Sequence, residues 1–160
     1  MEEILIKATK MRPRSARAID ASLVTIDIPS FIKQIKSEKS WKKNDRNSMT
    51  VFKTTDLRIV LIALHKNAEI VKHASKGLIS VQVLKGELKF KTNDQCVKLK
   101  KAQLLTLKGG IPHSIQANKM TIFLLTITAA TADDNIENHI DDALIEQHSV
   151  NGKKVTRETV

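Results

Sequence analysis

Between residues 48 and 128 the chain is a succession of short apolar-rich runs parted by brief polar or glycine turns. In order they read MTVFKT, LRIVLIALH, EIVKH, LISVQVLKG, ELKFKT, QCVKLKK, QLLTLK, HSIQA and MTIFLLTIT. Strand-length runs at this density, with no helical stretch among them, predict an all-β sandwich or barrel. Lys85-Gly86, Thr92-Asn93-Asp94 and Lys108-Gly109-Gly110 supply turn chemistry between them. No internal repeat is evident beyond this strand rhythm.

The flanks follow other patterns. Residues 1–18 read as a basic arm, laid on a neighbour or mobile. Leu23 to Ile28 (LVTIDI) alternates as a short strand does. Ser30 is the expected N-cap of a helix whose Phe31, Ile32 and Ile35 share one face. That helix should pack over one side of the barrel, with Trp41 closing the contact, so residues 19–47 form a strand–helix arm and 48–130 the barrel. Beyond it, Ile136, Ile140, Ala143 and Leu144 fall at helical spacing on an acidic stretch, predicting a C-terminal amphipathic helix that docks on the basic body or on a second subunit; the last residues carry no pattern.

At 160 residues the chain is long enough for one domain with a real core. No apolar run reaches 18 residues, so no membrane-spanning segment is expected. The N-terminus has no apolar core of a secretory signal, and Cys96 is the single cysteine, so a cytoplasmic setting is expected, with no internal disulfide. The net charge is +10, unevenly placed: residues 1–132 hold 24 Lys and Arg against 10 Asp and Glu, residues 133–160 hold 3 against 7. A basic body attracts anions. Nucleic acid is nevertheless not the expected partner, because stacking aromatics are scarce, with one Trp, four Phe and no Tyr.

Two segments carry a more specific pattern, EIVKHASKGLISVQVLKGELKF and AQLLTLKGGIPHSIQA. They resemble the two motifs of the cupin superfamily, Gly-x5-His-x-His-x(3,4)-Glu-x6-Gly and Gly-x5-Pro-x-Gly-x2-His-x3-Asn. His73, Gly86, Gly110 and His113 match the motif residues. Asn67 and Ala102 stand where each motif opens with glycine, and Asn tolerates the left-handed turn that glycine usually supplies. The wider run from about residue 45 to 128 is similar to uncharacterised bacterial cupin-domain proteins. The resemblance implies a double-stranded β-barrel of two antiparallel sheets, with a short N-terminal helix and a C-terminal helix. It also implies a pocket between facing strands and a homodimer paired through β edges.

In metal-bearing cupins two histidines, a glutamate and a third histidine converge on iron, manganese, nickel or zinc. The matching positions here are His73, Ser75, Ile79 and His113. A stable transition-metal site needs three or four ligands of imidazole, carboxylate or thiolate type. Ser75 is a poor ligand and Ile79 is none, so no tightly held metal is expected, and His73 and His113 stand as the vestigial candidates. Strand alternation puts Ile79, Val81 and Val83 on one face and Ser80, Gln82 and Leu84 on the other. His65, at the end of its strand, would need an unusual bend to join the pair.

The expected site is therefore a shared cavity lined by His73, Ser75, Ile79, Val81, His113 and Ile115. Two histidines facing it would suit a carboxylate, a phosphate or a polar ring. No catalytic residue can be named. Nucleophile-elbow, P-loop and dinucleotide-binding patterns are absent, and Cys96 on its strand reads as structural. The leading expectation is a small-molecule binder without a resident metal. One alternative is a metal-dependent dioxygenase or isomerase that uses His73, His113 and a further ligand. A second is a regulatory or interaction module with a basic surface.

Overall fold

The computed structural model describes residues 4–6 and 22–129. The acidic helix expected after residue 132, and most of the basic arm, lie outside the described residues. Within the arm, β1 (Ile4–Ile6) pairs in parallel with β2 (Val24–Ile26), so part of it is tied to the strand that precedes the first helix.

Helix α1 (Ile28–Ser37) starts three residues earlier than expected. Its N-cap is Asp27, not Ser30: the Asp27 carboxylate accepts the Ser30 amide at 3.3 Å, and the Ser30 hydroxyl donates back to the Asp27 carbonyl at 2.8 Å. A carboxylate there satisfies an orphan amide of the first turn and complements the helix dipole. A short second helix, α2 (Lys39–Lys43), carries Trp41.

Then come β3 (Arg46–Lys53), β4 (Leu57–Leu64), β5 (Glu69–His73), β6 (Ile79–Lys85), β7 (Glu87–Lys91), β8 (Cys96–Lys100), β9 (Leu104–Leu107), β10 (His113–Ala117) and β11 (Thr121–Thr128). They form two antiparallel sheets, one ordered β3-β4-β11-β6-β9 and the other β5-β10-β7-β8.

The sheets close on an apolar interior. Val60, Ile62 and Leu64 of β4, Phe123 and Leu125 of β11, and Ile79, Val81 and Val83 of β6 meet Leu88, Phe90 and Ile115 of the other sheet. The opposite face of the five-stranded sheet is also covered, because Leu61, Ala63 and Ile122 pack with Phe31, Ile35 and Trp41 from the helices. Burial on both faces explains why β4 reads as an unbroken apolar run rather than an alternation. Each fully buried side chain of this size contributes about 1.5–3 kcal/mol relative to exposure. β6 follows the expected alternation, with Gln82 outside and Leu84 turned toward the helix layer.

Four residues among those described have positive φ: Asn67 (70°), Gly86 (89°), Ala102 (68°) and Gly110 (77°). These are the four motif positions that the resemblance assigns to glycine. The backbone of both motifs is thus kept where the glycine itself is not.

Candidate functional site

β5 and β10 bring the two motif histidines together, with His73 directly opposite His113 in the antiparallel register. That pairing depends on an irregularity. Ile115 faces Ile70 while His113 faces His73, so three steps along β5 match two along β10. Ile70 is buried in the core. Three regular steps from it would aim His73 outward, and the extra residue of the bulge turns the ring back to the side that His113 occupies.

The ring centroids of His73 and His113 lie 4.4 Å apart at an interplanar angle of 58°. Phe90, the inward residue of β7, stacks on His113 at 5.1 Å and 12°. His113 is only 2 % exposed, whereas His73 is half-buried. Each ring is anchored in the same way, by its Nδ1 to the carbonyl two residues earlier. His73 bonds Val71 at 2.9 Å and His113 bonds Ile111 at 2.9 Å. Burial pushes the His113 pKa below its ordinary value of 6.5, against the upward pull of the Ile111 carbonyl, and the neighbouring His73 pushes it further down.

The loops above the pair are locked to each other. The Gly110 amide donates to the Ser75 carbonyl at 2.7 Å, and Gly109 lies so close to the Lys76 carbonyl that a Cβ would sit 1.9 Å from it. Ser75 is half-buried beside this contact. Ile79, Val81 and Ile115 are 2 %, 0 % and 2 % exposed, within the apolar interior. Of the six residues expected to line a site, the histidines and Ser75 therefore lie at the end of the barrel, while the three aliphatic residues belong to its packed core. Phe90 and the carbonyls of Val71 and Ile111 were not singled out in the sequence. Phe90 was accessible to the alternation of ELKFK, but backbone carbonyls leave no trace in residue identity.

The donor set does not fit the family's metal. The glutamate position holds Ile79, buried among aliphatic side chains, and the second histidine position holds Ser75. Among the described residues no group of three His, Cys, Asp or Glu side chains is placed to hold a cation. His65 sits on the other face of the five-stranded sheet, where its Nε2 bonds the Trp41 carbonyl at 2.9 Å.

No protein-family model matches the chain, and no curated protein matches it. Solved structures do. A conserved protein of unknown function from Streptococcus pyogenes is similar at 27 % identity and a TM-score of 0.51, over 54 % of this chain and 75 % of that one. A cupin superfamily protein from Desulfitobacterium hafniense is similar at 19 % identity and a TM-score of 0.52, over 53 % and 78 %. A cupin-2 domain protein from Shewanella frigidimarina is similar at 14 % identity and a TM-score of 0.53, over 64 % and 93 %. With two antiparallel sheets and these neighbours, the chain has a cupin-like fold. No helix among the described residues is long and apolar enough to cross a membrane.

Proposed function

We propose that this protein is a small-molecule binding cupin that works without a tightly held metal, and that its site is the His73–His113 pair. One observation carries the reading: two imidazoles from different strands face each other at the end of the barrel, each oriented by the carbonyl two residues before it. Polar groups converging beside an apolar wall are the usual composition of a ligand site. The pair alone offers two donor atoms, fewer than a stable metal centre needs.

Elemental analysis of the full-length protein is expected to return far less than one equivalent of iron, manganese, nickel or zinc. Near-stoichiometric metal would overturn the reading and favour a metal-dependent enzyme. The end strands β5, β8, β3 and β9 support pairing with a second copy, testable by sedimentation at several concentrations. The exposed free thiol of Cys96 suits a reducing compartment such as the cytoplasm.

A further inference from the structure

We infer that the histidine pair is a hydrogen-bond acceptor site, built for a neutral ligand that donates two hydroxyl protons, a vicinal diol, and not for a carboxylate or phosphate. This rests on the reading of the pair as the binding site and specifies what it takes.

The tautomers carry the argument. A carbonyl oxygen only accepts, so the Nδ1 atoms that contact Val71 and Ile111 carry the protons. On a neutral imidazole that leaves Nε2 with a lone pair and no hydrogen. Among the described residues neither Nε2 has a hydrogen-bond partner. The pair therefore presents two acceptors and no donor.

The surroundings of His113 disfavour a second proton on that ring. His113 is buried and held toward its neutral form. No cluster of acidic groups joins the pair among the described residues. Two imidazolium rings 4.4 Å apart would also repel each other. An anion arriving at two rings whose single protons are held on Nδ1 would meet two lone pairs.

A cationic donor such as an ammonium is disfavoured by the surroundings. Lys108 lies on the loop that leads into His113, and the whole chain carries +10. What remains is a neutral donor, and a vicinal diol supplies one hydroxyl for each Nε2. Val71 and Ile111, whose carbonyls hold the rings, expose their own side chains (54 % and 36 %). An apolar body attached to the diol would find contact there, which makes an aromatic diol the natural probe.

The test uses the full chain with 15N-labelled histidine at pH 7.5, titrated separately with catechol, benzoate and 1,2-dimethoxybenzene. Two-bond 1H–15N correlations are expected to show both rings protonated on Nδ1. Catechol should move the Nε2 signals of His73 and His113 and bind at least tenfold more tightly than the other two. Benzoate binding at the pair as tightly as catechol, or a proton resident on either Nε2, would overturn the inference while leaving the pair as the binding site. If all three probes leave both rings unmoved, the inference and the site assignment fall together.

Discussion

Trp41 and His65 lie face to face, with ring centroids 3.6 Å apart and planes 13° from parallel. The stack joins α2 to the end of β4 on the helix-covered side of the five-stranded sheet, away from the His73–His113 pair. It removes the one other histidine among the described residues from consideration as a ligand. It also makes Trp41 a keystone of the second core, where it packs with Phe31, Ile35 and Leu61.

Trp41→Ala is expected to cost about 3–5 kcal/mol of stability, the usual range for emptying a buried aromatic site. Urea unfolding measures this directly. The His73 and His113 resonances should not move in the folded variant, because the five-stranded sheet separates the two places. A loss below about 1 kcal/mol would mean that the helices do not pack on the sheet as described.

Ala102 occupies a left-handed backbone conformation, with φ of 68°, in the turn that follows β8. Its amide donates to the Val83 carbonyl at 2.8 Å, and the Gln103 amide donates to Lys100 at 3.0 Å, so the turn cannot relax without losing those bonds. A non-glycine residue in this region costs roughly 1–2 kcal/mol, offset in part by the greater unfolded-state entropy of glycine. Ala102→Gly should therefore stabilise the protein by about 0.5–1 kcal/mol. A rise of a few degrees in the thermal midpoint would register it, and an unchanged or lower midpoint would contradict it.

The downward-shifted His113 gives a pH dependence of definite sign. Its pKa in the folded state lies below the ordinary 6.5, with burial the largest cause and the neighbouring His73 adding to it. Between the two values the unfolded chain binds the proton and the folded one does not, so stability rises with pH there. The contribution is complete above about pH 6.5 and is lost as the pH falls through that window. Urea midpoints at pH 7.5 and 5.0 should fall further for the wild type than for His113→Phe, a variant with no proton to take up at that position. Equal falls would show that burial of His113 carries no proton linkage.

Much of this architecture was legible in the chain because its signals are local. The runs from MTVFKT to MTIFLLTIT each became a strand, since alternation and turn residues act over a few positions. The continuous LRIVLIAL read only as a strand, and its burial on both faces became clear once the barrel interior and the helix layer were in place. Other features have no local mark. β1 is three residues within a basic arm, and only its pairing with β2 defines it. Asp27 outcompeted Ser30 as a cap because Pro29 is accommodated in the first turn, which moves the helix start back. The β5 bulge that aims His73 is a matter of register between two strands, invisible in either alone. Ala102 has no preference for the left-handed region, so the turn imposes it. The motif spacing located the histidines, but their tautomers became readable only once the carbonyls of Val71 and Ile111 were in place.

The same geometry predicts what would restore an ion-holding site. Ile79 points into the interior at the position where metal-bearing cupins carry glutamate, and Ser75 stands at the second histidine position. Ile79→Glu alone would bury a carboxyl among aliphatic side chains and should destabilise the protein by several kcal/mol, the cost of a polar group without a partner. Adding Ser75→His completes, with His73 and His113, the three imidazoles and one carboxylate that metal-bearing cupins carry at these motif positions, a set that suits zinc or nickel. The double variant should therefore be less stable than the wild type without metal and regain stability with zinc or nickel in proportion to ion concentration, as any ligand specific to the folded state requires. Thermal midpoints with and without each ion measure the difference. The wild type, with two donors, should gain little over the same range. A wild-type midpoint that climbs as steeply as the variant's would show that the pair already recruits further ligands, and would remove the argument that this barrel's end is built around two imidazoles alone.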